Sequence, residues 1–306
     1  MDQRLLVISP VRNEAAHIEV VARAMAAQTR AVDCWVVVDD GSDDGTAEIL
    51  QGLTRELPFM RLQTGSDRAG TTEHVKDRLA AAAAPRAFNR GLERVDWRSF
   101  THIAKLDGDT ELPPSYFEEL LGRFDASPLL GLAGGIRCEL DGDRRRMESV
   151  PTRHHVPGAL KCYSLQCFVA IGGMPERLGW DTIDEVSARM RGFETRTFPE
   201  LVAVHHRMWG SADGILRGRA RHGRCAYIVH YPLPWVAARA LKTARMRPWG
   251  LSGLAYVGGY LGAGLRSVPR VEDPAFRTFI RGELRSRARA AVGIRRRAGT
   301  LAGHGA

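Results

Sequence analysis

Three short apolar runs, Leu5 to Ser9, Cys34 to Val38 and Phe100 to Leu106, each end on a loop crowded with polar or acidic residues. The first two lack polar alternation, as expected of central parallel strands covered by helices on both faces. Between them, Glu14 to Gln28 carries apolar residues at helical spacing, which completes a β-α-β unit. The right-handed crossover then puts the carboxyl ends of the strands on one edge, where sheets of this kind bind ligands. The loops predicted there are Pro10-Val11-Arg12-Asn13-Glu14, the stretch DDGSDDGT from Asp39 to Thr46, and Asp107-Gly108-Asp109. An α/β fold with a site on that edge is the economical reading.

Further along, Thr46 to Leu57 and about Ser115 to Phe124 read as helices, and Met60 to Gln63 as a short strand. Gly65 to Arg90 is Ala-rich and charged without a strong period, and Pro85 is expected to interrupt any helix in it. Leu129 to Cys138 and Cys162 to Ile171 read as strand or helix pieces, and Gly172-Gly173 as a turn. Asp181 to Arg191 resembles a capped helix ended by Gly192, and Leu201 to Val204 a short strand before His205-His206. Beyond it, Val236 to Leu241 and Leu251 to Leu265 read as apolar or glycine-rich helical stretches.

Charge divides the chain. From Arg207 to the end there are 19 Lys and Arg against 4 Asp and Glu, a net +15, whereas the preceding residues carry −6. With 44% hydrophobic and 26% charged residues the chain is globular, and disorder is excluded. Five Cys with no CxxC pair indicate neither a disulfide framework nor a zinc ribbon, so a cytoplasmic location is expected. Met1 to Pro10 has no basic segment ahead of a long apolar core, so no leader peptide is expected.

The acids carry the chemistry. Asp107 and Asp109 flank Gly108 just past a buried strand, an arrangement that offers hard oxygen donors to Mg²⁺ or Mn²⁺ and leaves room for phosphate oxygens. Such a pair also occurs in plain exposed turns, and its place after a strand and before Pro113-Pro114 is what favours the metal. N-capping accounts for Ser42 or Asp44 but not for Asp39 and Asp40 directly after an apolar run; an acid there can accept from a base or a ribose.

Together Ser9-Pro10-Val11-Arg12-Asn13-Glu14, VVVDDGSDDGT at Val36 to Thr46, Phe88-Asn89-Arg90-Gly91 and KLDGD at Lys105 to Asp109 resemble the family 2 glycosyltransferases of the GT-A fold. The resemblance spans residues 5 to about 120 and extends more weakly to about 206, so residues 1–206 are expected to form the catalytic domain and 207–306 a helical basic extension. It implies a nucleotide-sugar donor, with UDP-sugars ahead of GDP-mannose, and inverting transfer to an acceptor hydroxyl. By resemblance Pro10, Arg12 and Glu14 line the nucleoside pocket, Asp40 binds the base with Asp39 beside it in the nucleotide-sugar site, Asp107 lies near the ribose, and Asp109 holds a divalent metal. In many related enzymes a His at this place completes the metal shell or touches the diphosphate, which here means His205 or His206; adjacent residues project differently, so at most one of the two is expected to reach the metal.

The general base departs from the common pattern, a Glu-Asp pair opening a helix with an Arg about six residues on, because six residues before Arg189 stands Ile183. Asp184 is the first candidate and Asp181 the second, with Glu185 next; Asp181 and Asp184 also read as an N-cap and a first-turn acid. The basic extension is a solvated helical face or, with Trp235, Trp249, Tyr256 and Tyr260 among its apolar residues, a contact for an anionic membrane surface where a lipid-linked saccharide acceptor is presented. A polyprenyl phosphate or a soluble metabolite is the alternative acceptor, and nucleotide binding or nucleotidyl transfer the alternative to sugar transfer. No nucleic-acid-binding motif is visible, and without GxxxxGK[ST] or GxGxxG a kinase or dehydrogenase is disfavoured.

Overall fold

The computed structural model, described over residues 3–65, 79, 81–141, 144–148, 152–207 and 214–302, turns the first apolar run into β1 (Leu5–Val11), the hinge of the whole sheet. β1 pairs in parallel with β2 (Cys34–Asp39) on one side and β4 (His102–Leu106) on the other, with Val11 opposite Asp39 and Ile8 opposite Lys105. β3 (Met60–Thr64) extends the sheet beyond β2. Beyond β4 come β8 (Leu160–Ser164), β6 (Leu130–Asp141), β9 (Glu194–His205) and the two-residue β5 (Thr110–Glu111), with β7 (Arg144–Met147) on the free flank of β6.

Alternation within these strands builds two cores. Leu5, Val7 and Val37 face α1 (Ile18–Ala26), α2 (Thr46–Glu56) and α4 (Tyr116–Ala126). Leu6, Ile8, Val36 and Val38 face α3 (Ala83–Leu92) and α5 (Leu165–Ile171) with Phe88 and Phe168. Both faces are thus dry, which is why the strands read as unbroken apolar runs; a Leu, Ile or Phe buried there contributes about 1.5–3 kcal/mol. α6 (Trp180–Met190) follows α5 on the same chain.

Four readings of the sequence change. α1 starts at Ile18 rather than Glu14, because Glu14 to His17 form the turn that lines the sheet edge. Pro85 lies in the first turn of α3, where a missing N–H leaves no intrahelical bond unmade, so it is accommodated. Cys162 to Ile171 holds the end of β8 and all of α5, separated where Ser164 accepts from the Cys167 N–H at 3.3 Å as an N-cap. β9 begins seven residues before Leu201: its register against β6 slips between Gly134 and Ile136, and Pro199 sits within the slip. Residues 66–78 and 80, part of the Ala-rich stretch, lie outside the described residues.

The chain divides into two compact units, Met1–Ser211 and Ala212–Ala306. The second is helical: α7 (Ile215–Ile228), α8 (Leu233–Ala244), α9 (Leu251–Leu265) and α10 (Pro274–Ala302). Its glycines permit close helix contact, since a Cβ on Gly223 would stand 1.9 Å from the Tyr256 carbonyl oxygen and one on Gly259 1.9 Å from that of Ala220.

The same test separates two glycines of the first unit. A Cβ on Gly134 would stand 2.0 Å from the Leu160 carbonyl oxygen, whereas Gly52, inside α2, has nothing within 4 Å. Gly134→Ala is expected to lower stability by about 1–3 kcal/mol and Gly52→Ala to raise it by about 0.5–1 kcal/mol, read as opposite movements of the urea midpoint at constant slope.

Candidate active site

The first two loops at the sheet edge are laced together by polar groups. Asn13, held at φ 56°, donates its N–H to Ser42 Oγ at 3.0 Å and its amide Nδ2–H to Asp43 at 2.8 Å. Glu14 and Ala15 donate their N–H groups to Thr46 Oγ1 and Asp44, and Asp40 donates its own to the Val11 carbonyl. Much of the acidic stretch is therefore structural: Asp44 accepts from Thr46 at the start of α2, and the Asp39 carboxylate is occupied by the N–H and hydroxyl of Ser42. Asp39 and Asp40 are both buried.

Asp40 is fixed from two sides. Its carboxylate pairs with the Arg90 guanidinium at 2.5 Å, and its carbonyl accepts from Arg12 at 3.1 Å. Arg90 reaches it from α3, which packs so closely on the sheet that a Cβ on Gly91 would stand 2.7 Å from Ile8. Arg12 and Pro10 flank this pair half-buried.

Deeper in the edge lies Asp109, 7% exposed. His205, at the end of β9, places Nε2 3.3 Å from its carboxylate, and Arg207 approaches it at 3.8 Å. Burial works against the charged form of Asp109, but His205, Arg207 and Arg137 outweigh it and hold the carboxyl below its usual range. Glu14 goes the other way. Burial, with Asp109 and Asp107 adding to it, pushes its carboxyl up to about 8 even though Arg207 pairs with it at 2.8 Å. Glu14 Oε2 and His205 Nδ1 are buried without a hydrogen-bond partner. Gly108 lets the segments meet, since a Cβ there would stand 2.8 Å from Val11.

The two adjacent histidines separate as expected of consecutive residues leaving a strand. His205 goes to Asp109; His206 pairs with Glu111 at 2.8 Å and stacks on His17, so it is not brought to Asp109. Among the described residues, no group of three His, Cys, Asp or Glu side chains converges as a complete metal site. Asp109 and His205 still fit two neighbouring positions of a shell: one oxygen and one nitrogen donor 3.3 Å apart match the separation of about 3 Å between neighbouring ligands of an octahedral ion with bonds near 2.1 Å.

Asp107, a third exposed, is paired with Lys105, whose Nζ also donates to the Gly158 carbonyl at 3.0 Å. Lys105 lies opposite Lys161 in the β4–β8 register. Both ammonium groups stand over the Trp180 ring, at 5.5 and 5.3 Å from its centroid. Gly158 is pressed against that ring, where a Cβ would come within 3.2 Å of it and within 3.9 Å of Asp181 Cβ. Asp181 is thereby placed next to the Lys105–Asp107 pair. Its side chain is half-buried, and its carbonyl accepts from Lys161 at 2.8 Å. The residue preceding α6 is Gly179 at φ 88°, so Asp181 lies in the first turn and not at the cap.

Asp184, the leading base candidate from sequence, has a different situation. It is 1% exposed, and its carboxylate takes two contacts of 2.8 Å from Lys161, one of 2.6 Å from the Tyr163 hydroxyl and one of 2.6 Å from the Glu185 N–H. Both carboxylate oxygens are thus engaged within the protein, and burial pushes the carboxyl above its usual range despite Lys161. Glu185 is equally occupied, by Val156 N–H, His155 and Lys161. Burial opposes the charge on Lys161, yet Asp184, Glu185 and Asp181 hold its pKa above the usual lysine range. The sequence reading gave no role to Lys161, Arg90, Arg137 or Arg207; their partners lie 11 to 194 residues away, and no local pattern announces such pairs.

Lys161 neutralises two buried acids at once, so its removal is expected to be costly. Lys161→Met should destabilise the chain by about 3–5 kcal/mol in urea denaturation, and adding Asp184→Asn should restore part of the loss.

The geometry can be set beside known proteins. The fold superposes on S. aureus TarS with a TM-score of 0.52 at 13% identity, over 88% of this chain and 44% of that one. A TarS 1–349 structure in complex with UDP-GlcNAc gives 0.53 at 14% identity over 88% and 74%. The mannosyltransferase PcManGT from Pyrobaculum calidifontis, in complex with GDP-Man and Mn²⁺, gives 0.53 at 19% identity over 99% and 81%. The chain thus spans less than half the length of full TarS, and at these identities the likeness is one of fold. The model of Glycosyl transferase family 2 matches residues 6–173. That match takes in β1 through α5 and both acidic loops, and the chain is a member of glycosyl transferase family 2 with the GT-A fold.

Proposed function

We propose that this glycosyltransferase moves a sugar, with inversion, from a nucleotide-sugar donor to an acceptor hydroxyl, using the edge formed by the carboxyl ends of β1, β2 and β4. The observation that carries this reading is Asp109, a buried carboxylate held below its usual pKa beside His205, with the unpartnered Glu14 Oε2 and His205 Nδ1 at the same edge. Arg12 and Pro10 flank the nucleoside, and Asp40, fixed by Arg90, meets the base. Asp107 is available to the ribose. Glu14, carrying a proton near neutral pH and with an unpartnered Oε2, can donate to a donor oxygen. The base is uracil or guanine, the two carried by the donors bound to TarS 1–349 and PcManGT.

A divalent ion, Mg²⁺ or Mn²⁺, would be held by Asp109 and His205 and, when bound, supplies the positive charge that stabilises the leaving diphosphate. Arg207 and Arg137 add fixed positive charge at the same edge. We assign the general base to Asp181. Its half-buried carboxylate takes the proton of the acceptor hydroxyl as that oxygen bonds to the anomeric carbon, and the bond from that carbon to the diphosphate oxygen breaks. Lys161 and Trp180 act as positioning groups, holding the first turn of α6 where Asp181 stands. A lipid-linked saccharide is the proposed acceptor, supported by the excess of Lys and Arg after residue 206.

The test is a thermal-shift panel of UDP and GDP with and without Mn²⁺, joined to a turnover assay with the sugar nucleotide of whichever base binds. One diphosphate should raise the melting temperature in a Mn²⁺-dependent way, and Asp109→Ala should abolish both the shift and transfer. Asp181→Asn should keep the shift and lose about 10²–10⁴-fold in turnover. Asp184→Asn should be less stable yet still turn over; a dead Asp184→Asn beside an active Asp181→Asn would reverse the assignment.

A further inference from the structure

α9 uses one face to hold its own unit together. Ser252, Gly253, Tyr256, Tyr260 and Ala263 are buried; Gly259 meets the backbone of α7, and a Cβ on Gly253 would stand 2.7 Å from the Ala240 carbonyl of α8. The opposite face carries Leu251, Leu254, Gly258, Leu261 and Leu265, a spacing of three and four residues that makes one continuous stripe. These leucines are among the most exposed apolar side chains of the molecule: Leu254 is 69% and Leu265 88% exposed. The stripe runs on into the α8–α9 turn, where Met246 and Trp249 are also exposed. Scattered surface leucines need no explanation, but a stripe of them along a whole helix does.

Charge decides what covers it. From Gly214 to Val271 there are ten Lys and Arg and no Asp or Glu, and Lys242, Arg245, Arg247 and Arg266 border the stripe in exposed positions. A second copy of the chain would bring two such sets together with no acid to answer them, whereas an anionic bilayer answers each cation with a headgroup. No helix among the described residues is long and apolar enough to cross a membrane, so the geometry is that of a helix lying on the surface. We propose that the outward face of α9, with the α8–α9 turn, docks this chain on an anionic lipid bilayer, its leucines and Trp249 at the acyl boundary and its Arg and Lys among the headgroups. The proposal uses no residue of the transferase site and stands whether or not that reading does.

The experiment is flotation of the full chain with vesicles of equimolar phosphatidylglycerol and phosphatidylcholine, against phosphatidylcholine alone, at low and high salt. The chain should float with the anionic vesicles, and less with neutral ones or at high salt. The double variant Leu254→Glu, Leu261→Glu changes two exposed side chains and should keep its melting temperature while losing about tenfold or more of its partition to the vesicles. Failure of the native chain to float at low salt would overturn the proposal, as would undiminished flotation of the variant. So would a native dimer, seen in sedimentation, that the two substitutions turn into a monomer, because the stripe would then belong to a second copy.

Discussion

Two buried lysines, opposite one another on β4 and β8, set the arrangement of the candidate active site. Unpaired like charges at that separation in a dry sheet would be strongly unfavourable. Lys105 is answered by Asp107 and the Gly158 carbonyl, and Lys161 by Asp184, Glu185 and the Asp181 carbonyl. Trp180 presents its ring to both ammonium groups. The demand for neutralisation thus ties the loop after β4 to the start of α6, two segments some 75 residues apart in sequence, and it holds Asp181 beside Asp107. Gly158 keeps this contact close, since a Cβ there would stand 3.2 Å from the indole and the ring would have to give way slightly.

At the far side of the same edge the balance is made differently. Glu14 and Asp109 are both buried, and Arg207 stands between them, 2.8 Å from one and within 3.8 Å of the other. One guanidinium cannot fully offset two carboxylates in a dry cleft. Asp109, with His205 and Arg137 to help, stays ionised, while Glu14 yields and moves towards the protonated form. Two acids with opposed tendencies a few residues' width apart are a recurrent property of sites that bind charged ligands. Here the unpartnered Glu14 Oε2 and His205 Nδ1 mark where such a ligand has bonds to make.

What the sequence disclosed and what it hid follow from the same physics. β1, β2 and β4 were legible because both their faces are buried, which forces an unbroken apolar run, and the loops after them because acids directly behind such runs are costly without a purpose. β9 was read as four residues instead of twelve: its first half alternates charged residues with buried ones, and Pro199 sits in a register slip against β6. Asp109 and His205 stand 3.3 Å apart, 96 residues apart in sequence. The Asp39 carboxylate accepts from Ser42 three residues on, and the His206 ring pairs with Glu111. The base was the hardest to read. Asp181 and Asp184 are three residues apart on one helix, and what separates them is a lysine on β8 that no local pattern connects to α6.

In the helical unit, hydropathy alone is ambiguous. Residues 251 to 265 mix leucine and glycine, so their mean character suits neither a membrane span nor a simple amphipathic helix with a charged face. The structure sorts the two residue types by function. Gly223 on α7 and Gly253 and Gly259 on α9 lie where backbones must approach, and the tyrosines fill the space between them, with Tyr260 donating its hydroxyl to the Tyr231 carbonyl at 2.9 Å. The leucines face out. A helix whose inward face is built from glycine and tyrosine needs no leucine for its own packing, so its four exposed leucines are surplus to the fold. Together with the surrounding stretch from Gly214 to Val271, which carries no Asp or Glu, they suit the proposed contact with a surface that is both apolar and anionic.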